Sequence, residues 1–216
     1  MAEETKDILL FKKGSDVIVI TFGGIKMGIG MPRFEFKNIL IKYNCDQAFI
    51  IDPNQSWYQD GINSKPNFES LKSEIENIIR DYKKVIFIGN SMGGFAAIMF
   101  GALLNVDRVI SFSPQTFISR YRRAYYGDKR WSDQINSIVS KNYLNLKRLL
   151  LKTKSKNSTI YSIYYSTTDK LDKIHSERLS KLKSCNLYSY SFGGHNLVKS
   201  LKDKGILTEI LNENLL

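Results

Sequence analysis

Cysteine is scarce in this 216-residue chain, which has only Cys45 and Cys185. Their spacing does not suit a cysteine-ligated metal. Each stands beside the start of an apparent strand, where a buried reduced thiol is the simplest reading. Histidine is equally rare, with only His175 and His195, so chemistry that needs an imidazole base has two places to find it. No apolar run approaches the roughly 20 residues that span a bilayer. Residues 1–7 are polar and acidic and lack the apolar centre of a secretory signal. We therefore expect a cytoplasmic protein with no transmembrane segment and no metal. Acidic side chains are outnumbered by basic ones, 21 to 32, for a net charge of +11. Such an excess suits nucleic acid, an anionic membrane surface or an anionic substrate. The lysines are scattered, as in Lys152, Lys154 and Lys156, and no nucleic-acid motif accompanies them. The expectation is no nucleic-acid partner, with solvated basic faces as the alternative to an anionic ligand.

Hydrophobic residues make up 43% of the chain, as in an ordinary globular protein, and the length fits one domain over 1–216. Short apolar, β-branched runs recur: residues 16–21 (DVIVIT), 47–52 (QAFIID), 84–89 (KVIFIG), 108–112 (RVISF), 159–165 (TIYSIYY) and 187–192 (LYSYSF). Continuous runs of this kind suit strands buried on both faces of a parallel sheet. Residues 8–11 offer a further edge strand. Helical periods lie between them. Residues 68–82 set Leu71, Ile75, Ile78 and Ile79 on one face, and residues 93–104 are apolar nearly all round. Residues 171–182 and 196–210 complete the set. This alternation predicts an α/β fold with a mostly parallel central sheet of about six to seven strands and flanking helices. Residues 114–151 break the rhythm, with no strand of their own. An insertion there is expected to lie as a short helical cap over the carboxyl edge of the sheet, where open α/β sheets bind ligands.

The sharpest motif is Gly89-Asn90-Ser91-Met92-Gly93-Gly94. It fits G-x-S-x-G, which is weak by itself. An apolar strand leads in and an apolar helix leads out, which is the setting a nucleophile elbow requires. The alternative is a glycine-rich turn with an incidental serine. A serine hydroxyl becomes a useful nucleophile only when a base takes its proton. His195 follows the last predicted strand in Phe192-Gly193-Gly194-His195-Asn196, and it completes the chain order serine, acid, histidine that goes with this elbow. His175 falls among charged residues of a helix and reads as surface. For the acid we favour Asp169, in the loop just past residues 159–165. Asp172 is the rival, one helical turn later; whichever is not the acid is expected to serve the helix start. The oxyanion of an acyl-transfer intermediate needs backbone donors. Met92 follows the nucleophile, and Thr21-Phe22-Gly23-Gly24 supplies Phe22 or Gly23 as the second. Gly23, Gly24, Gly28 and Gly30 match neither common phosphate-loop pattern.

With Gly89-Asn90-Ser91-Met92-Gly93-Gly94, Asp169 and His195 in this order, the chain resembles the α/β-hydrolase superfamily over most of its length. It is more narrowly similar to small, signal-less members associated with bacterial surface polysaccharide. Capsule O-acetyltransferases and the acyltransferase-like accessory Sec proteins that modify glycans belong to that group. Asp52-Pro53-Asn54-Gln55-Ser56-Trp57-Tyr58 and Ser111-Phe112-Ser113-Pro114-Gln115 carry the narrower likeness. An HGGG motif is missing, which argues against lipase-like substrates.

Asp52, Trp57 and Tyr58 follow a strand end, where rings and a carboxylate suit a sugar; loop packing is the alternative. Arg120, Arg122, Arg123, Lys129 and Arg130 are interleaved with Tyr121, Tyr125, Tyr126 and Trp131, a cluster that suits phosphate or carboxylate groups. A solvated amphipathic helix is the alternative. Three functions stay open. One is a serine esterase or deacylase acting on a carbohydrate or other polar acyl ester, with no cofactor required. A second is an O-acetyltransferase that uses acetyl-CoA as donor and a cell-surface polysaccharide as acceptor. The third is a non-catalytic glycan- or partner-binding module on the same scaffold.

Overall fold

The short apolar runs pair into one sheet of eight strands in a computed structural model, which describes residues 2–25 and 33–215. The strands are β1 (Ala2–Glu4), β2 (Ile8–Phe11), β3 (Val17–Phe22), β4 (Asp46–Ile50), β5 (Lys84–Asn90), β6 (Arg108–Phe112), β7 (Ile160–Ser166) and β8 (Cys185–Tyr190). Their order across the sheet is β1-β2-β4-β3-β5-β6-β7-β8. From β4 to β8 every pairing is parallel; the β1–β2 and β2–β4 pairings are antiparallel, so β2 alone runs against the other strands. The sheet is thus mostly parallel, with one strand more than the six or seven expected. The extra strand is β1. Its three residues, Ala-Glu-Glu, carry no apolar pattern, and it exists through its pairing with Ile8–Phe11.

Side chains alternate across the strands and build two cores. Ile18, Ile20 and Phe22 of β3 and Phe87 of β5 face one side; Val19, Ile86 and Ile88 face the other. Helices α1 (Lys37–Leu40), α2 (Phe68–Ile79) and α3 (Met92–Leu104) come before the break in rhythm, and α4 (Arg120–Tyr126), α5 (Ser132–Ser137) and α6 (Leu146–Thr153) fill it. Then follow α7 (Lys170–Glu177), α8 (Leu197–Asp203) and α9 (Ile206–Leu215). Helices α2, α3 and α6 pack on the first face, and α1, α8 and α9 on the second. The predicted helix over 196–210 is split because Gly205 adopts φ +79°, a conformation that ends helices. Among the described residues no helix is long and apolar enough to cross a membrane.

Helix α3 is the centre of the first core, with every residue from Met92 to Ala102 buried. Phe100 stacks on Phe22 of β3 at 5.5 Å and on Phe68 of α2 at 5.6 Å, joining three elements. Phe100→Ala is expected to cost about 3–5 kcal/mol, the range for a large aromatic removed from a core. Urea unfolding should show a lower midpoint at unchanged slope. Val139→Ala, at a residue 84% exposed, should stay within about 0.5 kcal/mol.

Candidate active site

The turn from β5 into α3 is forced by close packing of backbone. A Cβ on Gly89 would lie 2.1 Å from the Gly93 carbonyl oxygen, and one on Gly93 would lie 2.0 Å from the Phe22 carbonyl oxygen. Only glycine fits either place. The chain therefore turns sharply at Ser91, which takes φ +54° and ψ −113°, angles that a residue with a side chain adopts only when its surroundings impose them. Here the Ser91 N–H donates to the Phe112 carbonyl (2.9 Å) and the Ser91 carbonyl accepts from the Phe95 N–H (3.0 Å). The side chain is left at the carboxyl edge of the sheet.

His195 reaches it from the other end of the sequence. After β8, Gly193 and Gly194 adopt positive φ and open a single 3-10 turn, Gly194–Asn196. The turn sets His195 Nε2 3.0 Å from Ser91 Oγ. The imidazole is 29% exposed, whereas Ser91 is only 6% exposed.

The acid is where the structure corrects the sequence reading. His195 Nδ1 lies 2.9 Å from both carboxylate oxygens of Asp172, and Asp169 is not its partner. Asp169 is instead the N-cap of α7: its Oδ1 accepts the Asp172 backbone N–H at 2.9 Å. A carboxylate that caps its own helix is turned toward that helix. Three positions on, Asp172 projects from the first turn and is fully buried. Burial pulls the Asp172 carboxyl pKa upward, but hydrogen bonds from His195 and Arg130 outweigh it and hold the group below the usual carboxylate range. It is ionised at neutral pH.

The Asp172 carboxylate has a second partner. Arg130 Nη1 donates to its Oδ1 at 2.9 Å. The same guanidinium reaches back to Asp128, with Nε at 3.1 Å from Oδ1 and Nη2 at 3.2 Å from Oδ2. Asp128 in turn lies 2.9 Å from His175 Nε2. His175 is fully buried and not on the surface. It stacks on Phe117 at 4.0 Å between ring centroids, so its helix packs the charged-looking stretch inward at this position. Burial pushes its pKa down, and Asp128 only partly offsets that. Its Nδ1 accepts the Thr116 N–H at 3.0 Å, so Nε2 carries the proton and donates to Asp128. Sequence reasoning missed this row. Asp128 and Arg130 lie two residues apart, a spacing that permits a local turn, but nothing along the chain announced that their other partners stand 42 to 47 positions away.

The predicted binding residues fare differently. Trp57 and Tyr58 are fully buried and Asp52 is 5% exposed. Trp57 Nε1 donates to Gln115 Oε1 (3.1 Å), and the Tyr58 hydroxyl lies 2.9 Å from the Gly23 carbonyl oxygen. Asp52 accepts the backbone N–H groups of Asn54, Ser56 and Tyr58 at 3.0, 2.7 and 2.9 Å. It thereby holds a loop in which Gln55, Trp57 and Tyr58 all have positive φ. No ring face is left for a sugar, and loop packing is the correct reading of these three residues. Arg120 and Arg122 are exposed on α4, whereas Arg123 is buried, with Nη2 bonded to the Arg130 carbonyl and Ser132 Oγ. Arg120 and Arg123 line a cavity of about 460 Å³ together with Lys129 and Lys141. Of the oxyanion donors, Met92 opens α3, where a helix N–H has no acceptor within the helix. Gly23 is not free to serve: its N–H donates to the Ile50 carbonyl at 2.9 Å. Phe22 lies within the β3 ladder, opposite Ile50 and Gly89. Gly28 and Gly30 lie outside the described residues.

No protein-family model and no curated protein matches the sequence. Solved structures do resemble the fold. The capsule O-acetyltransferase of Neisseria meningitidis serogroup A aligns at TM-score 0.71 and 17% identity, over 98% of this chain and 94% of that one. A mutant of the same enzyme in complex with CoA aligns at TM-score 0.64 and 15% identity, over 95% and 94%. An α/β-hydrolase enzyme from the metagenome of lagoon sediments at Mar Chica, Morocco, aligns at TM-score 0.61 and 16% identity, over 99% and 98%. The chain has the α/β-hydrolase fold.

The division between the two aspartates is directly testable by kinetics and thermal melting. Asp172→Asn should lower turnover by on the order of 10⁴-fold, the loss known for a neutralised triad aspartate, with the protein still folded. Asp169→Ala should cost about 1 kcal/mol of stability through the lost cap and slow turnover less than tenfold. The reverse pattern would return Asp169 to the role first expected of it.

Proposed function

We propose that the protein is a serine-dependent acyl-ester enzyme that works through an acyl-Ser91 intermediate. One observation carries the reading: an unbroken hydrogen-bonded row from Ser91 Oγ through His195 to Asp172, built on a strained elbow. A module that only binds glycans needs neither the strain nor the row.

The chemistry follows from the distances. His195 Nε2 takes the proton of Ser91 Oγ as that oxygen attacks the acyl carbon. Asp172 receives the Nδ1–H, fixing the tautomer that leaves Nε2 free to accept, and it stabilises the imidazolium without becoming protonated. The carbonyl oxygen becomes an oxyanion and takes the Met92 N–H. Collapse expels the alcohol, which leaves with the proton from His195. A water or an acceptor hydroxyl, deprotonated by His195, then attacks acyl-Ser91 and restores the serine.

A second reading is O-acetyl transfer from acetyl-CoA to a polysaccharide hydroxyl. It draws on the likeness to the CoA-bound capsule O-acetyltransferase and on the basic cavity of the 114–151 segment, whose cations suit an anionic donor or acceptor. Partition between the two depends on whether acyl-Ser91 is shielded from water and an acceptor is held in attack geometry. We assign the 114–151 segment the role of that cover, and we place the protein in the cytoplasm, where acetyl-CoA is made.

The expected outcome is stoichiometric labelling of the wild type by a fluorophosphonate probe, read by intact mass, and none of Ser91→Ala at unchanged melting temperature. Label retained by the alanine variant would identify another nucleophile. Incubation with acetyl-CoA, with and without de-O-acetylated polysaccharide, separates the two readings. Acceptor-dependent thiol release and acetylated glycan support transfer. Cleavage of small acetyl esters with no use of acetyl-CoA supports hydrolysis.

A further inference from the structure

Arg130 is an unusual neighbour for a triad carboxylate. It belongs to neither β7, α7 nor the turn that carries His195; it comes from the segment between α4 and α5. Its side chain is 19% exposed, and it is clamped between two carboxylates exposed 2% and 0%. Its own backbone is fixed as well. The Arg130 N–H donates to Asp128 Oδ1 at 3.0 Å, and the Arg130 carbonyl accepts from the buried guanidinium of Arg123. Asp128 is fixed in turn by His175, and His175 by the Thr116 N–H. The groups that position Arg130 are thus themselves held by further contacts, in the manner of the outer partners that orient a ligand or a catalytic group.

We infer that Arg130 is a positioning residue for the proposed reaction: it fixes the Asp172 carboxylate against His195 and offsets part of its charge, and Asp128 sets how much. This rests on the triad reading above. The guanidinium occupies one side of Oδ1, so the carboxylate cannot swing away from Nδ1. Its positive charge also opposes a proton on His195, whereas Asp128 favours one. The charged and titratable groups that face this carboxylate are His195, Arg130 and, behind Arg130, Asp128, His175 and Arg123. Asp169 accepts the Asp172 backbone N–H.

The test uses the whole chain and the rate of fluorophosphonate labelling of Ser91 between pH 5 and 9. For Arg130→Gln we expect labelling slowed on the order of tenfold or more by lost alignment. We also expect the midpoint of the rate-against-pH curve to move up by at least ~0.5 unit, because the imidazolium loses an opposing cation. Arg130→Lys keeps the charge without the fork, so its midpoint should stay near the wild type's while the rate remains low. Asp128→Asn should move the midpoint down, since an anion is removed and Arg130 leans wholly on Asp172. A residue that merely stiffens the fold would alter rate or melting temperature without opposite movements of the midpoint. If wild-type Ser91 does not label, the proposed function falls and this inference with it. If Ser91 labels and the Gln and Asn variants share the wild-type midpoint, the inference alone is overturned. Should Arg130→Gln not fold, Asp128→Asn decides: a midpoint that fails to fall overturns it.

Discussion

The site depends on how closely α3 is drawn against β3 and β5. With no side chain at Gly89 or Gly93, backbone meets backbone where a methyl group would sit about 2 Å from an oxygen. That approach leaves the connecting residue no relaxed conformation, and Ser91 takes the left-handed turn that results. Strain of this kind costs about 1–3 kcal/mol per residue. It persists because α3 is buried along almost its whole length and cannot retreat. The Ser91 side chain is thus aimed by the hydrophobic core and by two missing side chains. Only then do the hydrogen bonds at Ser91 N and O matter, because they hold an orientation that the packing has already chosen.

A second piece of packing supports the same corner from the opposite side. The loop after β4 contains Trp57 and Tyr58, whose rings enter the core instead of facing a ligand. Asp52 gathers three backbone N–H groups of that loop, and the Tyr58 hydroxyl reaches the carbonyl of Gly23, the residue just past β3. Gly93 packs against the carbonyl of Phe22, one residue earlier. The end of β3 is therefore held between the elbow and this aromatic loop. Burial raises the Asp52 carboxyl pKa more than its hydrogen bonds lower it, and those bonds to the loop's own backbone make it a structural anchor.

What could be read from the sequence was what local pattern controls. Apolar runs predicted every strand from β2 to β8, because a buried parallel strand must be apolar on both faces. The elbow was visible because its glycines and flanking apolar runs are contiguous, and His195 was visible because histidine is so rare. Beyond the buried row of Asp128, Arg130 and His175, three things were not. The strand Ala2–Glu4 has no pattern apart from its partner. Trp57 and Tyr58 look alike whether they line a pocket or fill a core. The choice between Asp169 and Asp172 hung on which one the helix would claim as its cap, and three residues of separation do not reveal that. Asp169 stands at the loop position that favours the acid, but also at the one position where a carboxylate satisfies the first turn of α7.

Asp172 therefore sits inside the first turn of α7, and that has an electrostatic consequence. The buried row holds two carboxylates, Asp172 and Asp128, against the guanidinium of Arg130, with that of Arg123 behind it on the Arg130 carbonyl. His175 is driven toward its neutral form by burial and donates a proton without carrying charge. Two carboxylates thus face two guanidinium groups, a balance that matters in a region where an uncompensated buried charge is costly. A positive charge on His195 would meet the Asp172 carboxylate directly, with Nδ1 2.9 Å from both its oxygens. The N-terminal end of α7 lowers the cost of the ionised Asp172, since it favours a negative group in its first turn, and Asp169 secures that turn by capping it. The helix start and the salt-bridged arginine together hold the Asp172 carboxylate ionised beside His195, and the geometry directs it at Nδ1.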